Sequence, residues 1–299
     1  MGSTLLIRHS GVSFQEELKQ YPKQPHIILD PGDASHGPAA RLWLLRDGKP
    51  VASRFFGSID ALRAPHLILA ALSDFLKLAD DAIVEAPVYR ASPLSRQLLT
   101  LIAFLVKPDR ILVAEGTEIS LLGWPIGPET ISAPEALPRM VLDAQRKAQW
   151  LRLLERTHKH EIPMSNLSIQ GCRLGSAVPI TQQIDTAGIL HAEVCGANLL
   201  LVSTGDVDVE VMGRALDIAH AAKAIVVQPE EYKNLLCAFG RENGEEFGMG
   251  MIDEIDFEGR MIYARADAVP PVPVRILKLG SLRVDPNGRE MPEGRPWHL

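Results

Sequence analysis

Short apolar runs alternate with helical patterns along residues 26 to 114, the arrangement expected of a parallel sheet covered by helices. His26 to Asp30 reads as a buried strand. Arg41 to Leu45 and Val51 to Phe56 flank Arg46-Asp47-Gly48-Lys49, whose Asp-Gly pair predicts a hairpin turn. Leu67, Leu69, Ala70, Leu72, Phe75 and Leu76 give Ala64 to Leu78 a broad apolar face, so this stretch predicts a helix. Ala82 to Glu85 predicts a strand, Ser92-Pro93 a cap and first-turn proline for a helix through Val106, and Arg110 to Ala114 the next strand.

The texture then changes twice. Gly123 to Pro138 is a proline-rich loop closed by Ser132-Ala-Pro-Glu135, a capping-box pattern that introduces a helix over about Arg139 to Lys159. After Glu161-Ile-Pro163, strands are expected at Leu167 to Leu174, Gly188 to Val194, Leu199 to Val202 and Ala224 to Val227, with a helix over Val207 to Ala222. Phe247 to Ile255, Arg260 to Ala266 and Val274 to Leu279 alternate between turns at Glu258-Gly259 and Asn287-Gly288, which suits antiparallel β structure. The expected architecture is an α/β fold in two domains: residues 1 to 160, including a basic helix from about 134 to 160, and a mixed α/β and antiparallel β domain over 161 to 299.

The charge balance narrows the function classes. A formal net charge of -6 and a pI near 5.9 exclude a protein that clings to nucleic acid over its whole surface. Locally, Arg139, Arg146, Lys147, Arg152, Arg156 and Lys159 face only Asp143 and Glu155, so positive charge is concentrated on one helix. Cys172, Cys195 and Cys237 are odd in number and far apart, which indicates neither a disulfide framework nor a thiolate zinc site and suits a reducing cytoplasm. Met1 to Arg8 has too short an apolar run for a signal peptide, and no membrane-spanning run follows.

Several segments carry a family likeness. Asp30-Pro-Gly-Asp33-Ala-Ser-His-Gly37-Pro38, Phe55-Phe-Gly57-Ser58, Val106-Lys107-Pro108-Asp109, the basic helix from Arg139, Gly248 to Arg260 and Lys278 to Asp285 follow one another in a characteristic order. That order resembles the RNA 5′-hydroxyl polynucleotide kinases, which include the kinase subunit of the pre-mRNA cleavage machinery and the nucleolar pre-rRNA kinase. The resemblance implies a P-loop-kinase-like sheet, ATP and Mg²⁺ as cofactors, and an RNA end or an RNA-processing protein as partner. It also implies magnesium coordination or hydroxyl positioning at Asp30, and phosphate neutralisation by lid residues Arg139, Arg146 and Arg152.

The phosphate loop departs from that pattern. Phosphoryl transfer uses backbone N–H groups around the phosphates, a lysine on their oxygens and a hydroxyl on magnesium, supplied by G-x-x-x-x-G-K-[ST]. Leu6-Ile-Arg-His-Ser-Gly11-Val12-Ser13-Phe14 falls on that loop, so Leu6 replaces the first glycine and Val12 the lysine, while Gly11 and Ser13, beside Ser10, remain as nucleotide-binding candidates. The family glutamine is Asp33, and its D-T-x-G strand end is Glu85-Ala-Pro-Val88. Loss of one preorganised charge-stabilising group costs on the order of 100- to 1000-fold in rate.

Each candidate has two readings. Asp30, Asp33 and Glu85 would converge at the strand ends of a parallel sheet and hold a divalent ion, or they are loop acids. Arg139, Arg146 and Arg152 form a phosphate-binding lid or a solvated face; His158 and His160, two apart, do not share a helical face. Ser10 to Ser13 lacks the G-x-S-x-G of a serine nucleophile, and Trp43, Trp124 and Trp150 suit packing better than base stacking. Three functions stand open: a catalytically impaired kinase relative that binds or scaffolds in RNA processing, a working kinase or nucleotide hydrolase using Arg8 to Gly11, and an assembly module presenting Glu242 to Glu258. An open nest at Gly11 to Ser13 facing Asp30 would favour the enzyme; a collapsed turn with Val12 and Phe14 buried would not.

Overall fold

The computed structural model describes residues 2–18, 20–119, 124, 126–132, 135–184, 188–267 and 273–293. The chain divides into two compact units, Met1–Gln149 and Trp150–Leu299. Unit one holds β1 (Thr4–Ile7), α1 (Gln15–Leu18), β2 (His26–Ile28), β3 (Arg41–Arg46), β4 (Lys49–Phe55), α2 (Pro65–Leu76), β5 (Ile83–Glu85), α3 (Pro93–Val106), β6 (Arg110–Ala114) and β7 (Glu129–Ile131). The helix α4 (Arg139–Glu155) spans the boundary.

The sheet of unit one has the order β4-β3-β2-β5-β1-β6-β7, with β2, β5, β1, β6 and β7 parallel and β3 and β4 antiparallel. The chain leaves β1 for β2, returns to β5 beside β1, then crosses to β6 on the other side. That reversal around β1 is the topological switch point, where open α/β sheets place their ligands beyond the strands' carboxyl ends. One face of the sheet buries Leu5, Ile7, Ile27, Leu29 and Val84 against Leu72 and Phe75 of α2 and Leu98 and Ile102 of α3. The other buries Leu6, Ile83, Leu112 and Ala114 with Val12 and Phe14.

The local signals explain these elements. Asp47 and Gly48 both adopt positive φ (50° and 70°), the paired left-handed conformation of a type I′ turn. Ser92 Oγ accepts from Ser95 N–H at 3.1 Å and Pro93 fills the first turn of α3. The capping box at Ser132 to Glu135 falls partly on residues 133–134, outside the described residues. The helix itself starts later, at Arg139, where the Pro138 carbonyl accepts from Val141 N–H at 2.9 Å. It also ends earlier than its charge pattern suggests. Thr157 Oγ1 donates to the Leu154 carbonyl at 2.8 Å, and His158 onward joins a strand, so Lys159 is not helical.

Unit two contains β8 (His158–Pro163), β9 (Ser168–Gln170), β10 (Val178–Pro179), β11 (Ile189–Cys195), β12 (Asn198–Ser203), α5 (Val209–Ala219), β13 (Lys223–Val227), β14 (Leu235–Gly240), β15 (Glu246–Asp256), β16 (Met261–Ala266), β17 (Ile276–Val284) and β18 (Glu290–Met291). The strand expected over Leu167 to Leu174 is thus confined to Ser168–Gln170. A four-stranded sheet, β10-β11-β12-β13, carries α5 over one face, with Ala192, Leu199, Leu201 and Ala215 buried between them. Leu200 and Val202 on its other face pack with Tyr232, in the turn before β14, and with Phe239 and Ile252 of a largely antiparallel sheet ordered β18-β17-β14-β15-β16-β8, with β9 beside β17. Among the described residues no helix is long and apolar enough to cross a membrane.

Candidate functional site at the carboxyl edge of the parallel sheet

Strand register places three charged residues together. Leu6 and Ile28 both pair with Glu85, so Arg8 and Asp30, two residues further along each flanking strand, stand on either side of the Glu85 end. Side chains alternate across a strand, so Arg8 emerges on the face of Leu6, Glu85 on that of Ile83, and Asp30 on that of Ile28. All three are buried. Arg8 Nη2 lies 2.6 Å from Glu85 Oε1, 3.0 Å from Asp30 Oδ2 and 3.5 Å from Asp33 Oδ2. One guanidinium therefore fills the space enclosed by the three carboxylates singled out from the sequence.

The surrounding backbone fixes that arrangement. Asp30 Oδ1 accepts from Gly32 N–H at 3.0 Å, and Asp33 Oδ1 accepts from both the N–H and the hydroxyl of Ser35. Gln149 Nε2 donates to the Ala34 carbonyl at 2.9 Å, which tethers α4 to the same loop. His26 Nε2 is 3.4 Å from Glu85 Oε2, without an aligned hydrogen bond. On the other side of Arg8, His9 Nδ1 meets Thr117 Oγ1 at 3.0 Å.

The loop that aligns with the phosphate loop is closed. Leu6 and Ile7 belong to β1 rather than to the loop, and the turn proper runs from His9 to Val12, whose N–H donates to the His9 carbonyl. Gly11 sits at φ 84°, the left-handed third position of a type II turn. Val12 and Phe14, at 1% and 3% exposure, are core residues. The Val12 carbonyl turns inward and accepts from Arg8 Nη1 at 2.5 Å. A phosphate cradle needs N–H groups aimed at the ligand; here a carbonyl oxygen and a guanidinium take that space. Leu137 N–H donates to the Gly11 carbonyl at 3.0 Å, and a Cβ on Gly11 would come within 2.6 Å of the Leu137 carbonyl. Residues 135–138 thus lie against the turn, and only glycine fits beneath them.

The electrostatics follow from burial and count. Burial pushes the Asp30 carboxyl up, to about 6, despite the attraction of Arg8. Burial acts the same way on Glu85, but Arg8, aided by His26, wins there and holds the carboxyl near 2. Burial also opposes the Arg8 charge, yet Glu85, Asp30 and Asp33 together keep it above its ordinary value. Burial lowers His36, which borders Asp33. With all three carboxylates ionised, one positive charge faces three negative ones, a poor environment for a polyanion.

The remaining candidates stand apart from this cluster. Ser10 is exposed on the turn and Ser13 is half-buried after it. Arg139 is exposed and Arg146 half-buried; both pair with Asp143, at 3.7 and 2.5 Å. Arg152 is exposed and belongs to unit two. His158 and His160 do share a side, because they lie on a strand, yet among the described residues no group of three or more His, Cys, Asp or Glu is placed to hold a metal ion. Three of the seven acids in the stretch from Glu242 to Glu258 are ion-paired: Glu246 with Lys278 at 2.8 Å, Asp253 with Arg265 at 2.7 Å and Glu245 with Arg241 at 3.2 Å. Trp43 packs under Gly37, and Trp150 is fully buried, its Nε1 donating to Glu290 Oε1 at 2.9 Å.

No family model and no curated protein matches the sequence. Solved structures do match the fold. A structure of the extended interface between Pcf11p and Clp1p, concerned with ATP loss in a glycine-to-arginine point mutant, aligns over 94% of this chain and 75% of its own at 12% identity and a TM-score of 0.58. A structure of the wild-type Clp1p–Pcf11p complex aligns over 94% and 74% at 12% identity and a TM-score of 0.53. The chain shares the mixed α/β fold of these structures.

Proposed function

We propose that this chain is a divergent relative of the polynucleotide 5′-hydroxyl kinases that has given up efficient ATP-dependent phosphoryl transfer and acts as a binding or scaffolding protein in RNA processing, in the cytoplasm. One observation carries the reading: the Arg8 guanidinium occupies the space among Asp30, Asp33 and Glu85 and draws the Val12 carbonyl inward. The positive charge that a lysine and magnesium supply in a working site is here part of the folded chain, and Gly11, Ser10 and Ser13 offer no open cradle. Arg139, Arg146 and Arg152 then serve to bind an RNA end rather than a reacting phosphate. Assembly with a protein partner is supported by the solved state of the fold relatives, which are complexes with Pcf11p.

A second reading is favoured by the excess of negative charge around Arg8. Were the guanidinium to swing out, Asp30, Asp33 and Glu85 would form a carboxylate set suited to Mg²⁺, with ATP held by Ser10, Gly11 and Ser13. The two readings separate in one experiment with a fluorescent 5′-hydroxyl RNA oligonucleotide. Our reading predicts salt-dependent binding that weakens by about tenfold in the Arg139→Ala/Arg146→Ala variant, and no label transferred from γ-labelled ATP. A 5′-phosphorylated product that disappears in Asp30→Asn would establish the second.

A further inference from the structure

The three sheets end in edge strands, and most of these are closed to further pairing. β4 carries Pro50 and a register shift against β3, β8 carries Lys159 and Glu161, and β7, β9, β10 and β18 are two or three residues long. Short, charged, bulged or proline-bearing edges resist the addition of another strand. β13 is different: after Lys223 it reads Ala224-Ile-Val-Val227, with no charge, proline or bulge. Its register fixes which groups face outward. Lys223 N–H donates to the Ala197 carbonyl at 3.2 Å, so Lys223, Ile225 and Val227 bond to β12, while Ala224 and Val226 turn their N–H and C=O groups away from the sheet. Those four groups have no backbone partner among the described residues. The side chains of Ala224 and Val226 pack against the α5 cluster and those of Ile225 and Val227 against the antiparallel sheet, so both faces of β13 are covered and its edge is open.

We propose that the β13 edge is a docking surface for a second copy of this chain, whose own β13 pairs with it antiparallel about a two-fold axis at Ile225. In that register Ala224 and Val226 of one protomer exchange N–H···O bonds with the partner's Val226 and Ala224, so every outward group is satisfied and two four-stranded sheets become one. Charge selects this partner and this direction. Lys223 stands at the start of β13, and Glu230 and Glu231 lie in the 3₁₀ turn Pro229–Tyr232 just past its end. All three are exposed, and neither Lys223 nor Glu230 has an ion-pair partner among the described residues. With Lys233 behind the two glutamates, that end remains net negative. Antiparallel pairing of two copies sets each basic end beside an acidic one, twice over, whereas a parallel arrangement opposes like charges. A strand from another protein would have to carry the same polarity; this chain carries it already.

Sedimentation equilibrium of the full chain between about 1 and 100 μM should show monomer and dimer in exchange. Val226→Pro removes an N–H that makes no bond within the sheet, so the monomer should keep its cooperative thermal unfolding while the dimer is lost. Lys223→Glu should weaken dimerisation by about tenfold, and adding Glu230→Lys should restore it. Amide hydrogen exchange of the wild type needs no variant and decides the matter should Val226→Pro unfold: the Ala224 and Val226 amides should be protected increasingly as concentration rises. A monomer at every concentration overturns the proposal. So does a dimer that Val226→Pro or Lys223→Glu leaves untouched, or one in which these two amides still exchange freely.

Discussion

Two buried glutamates, one in each unit, are stabilised in opposite ways. Glu85, at 5% exposure, shares one guanidinium with Asp30 and Asp33. Glu193, at 4%, keeps to its own neighbourhood: both oxygens accept from Gly175 N–H at 2.9 and 3.0 Å, and His191 Nε2 lies 2.7 Å from Oε1. His191 Nδ1 in turn lies 3.4 Å from Thr181 Oγ1, which accepts from Ala192 N–H, so this group ties β11 to the adjoining loops. The Glu193 group has its partners in number. The Glu85 group has too many acids for its cation, at the carboxyl edge where sheets of this kind bind ligands. The Glu193 group is locally balanced; the Glu85 group retains an imbalance that Arg8 only partly offsets.

Breaking the pivot of the first group should have the largest effect. Arg8→Ala leaves buried Asp30 and Glu85 and half-buried Asp33 without their shared cation and should cost about 3–5 kcal/mol in urea unfolding, against about 1–3 kcal/mol for Glu193→Gln, which loses charge but keeps acceptor capacity toward Gly175. Equal losses would erase the distinction between pivot and clamp.

Acidification should sharpen it further. Asp30 is raised from 3.8 to about 6 in the folded protein, so the fold holds this proton more tightly than the unfolded chain does, and its favourable contribution is present below about pH 4 and lost as pH rises through 6. Glu85 is lowered from 4.5 to about 2, so its contribution is present above about 4.5 and lost as pH falls toward 2. Relative to Asp30→Asn, the wild type should therefore gain stability between pH 6 and pH 4.5, by no more than about 3 kcal/mol in total. Denaturant titrations across this window measure it, and a monotonic loss on acidification would contradict the burial of an ionised Asp30.

Gly11→Ala should cost about 1–2 kcal/mol, because alanine is strained at φ 84° and its Cβ meets the Leu137 carbonyl. It should also free residues 135–138 from the turn, seen as faster proteolysis there. The smallest effect is expected at the α3 cap, where Ser92→Ala should lower stability by about 1 kcal/mol in thermal unfolding.

Much of unit one is legible because its signals are local. Asp47-Gly48 specifies a turn by left-handed conformation, Ser92-Pro93 a helix start by hydrogen bonding and fixed φ, and the apolar runs the parallel strands. The three carboxylates at the sheet edge also follow from the rule that parallel strand ends converge. Arg8 as their common partner does not follow from any motif. It requires the register that pairs both Leu6 and Ile28 with Glu85, a long-range property; the readable trace is only that Arg8 lies two residues beyond Leu6. The end of α4 is hidden for a different reason. Basic residues continue beyond Glu155, but pairing of His158–Pro163 with β16 decides that segment, overriding its helical charge pattern. The Leu235–Gly240 strand, buried throughout, lacks the alternation that marks half-buried strands.

Calorimetric titration of the intact chain with ATP and magnesium bears most directly on the claim that Arg8 fills the nucleotide site. With the guanidinium among Asp30, Asp33 and Glu85 and the turn closed beneath Leu137, no saturable heat is expected up to millimolar ATP. Micromolar binding that is lost in Asp30→Ala would contradict the account, because it would show an open phosphate site still organised around Asp30.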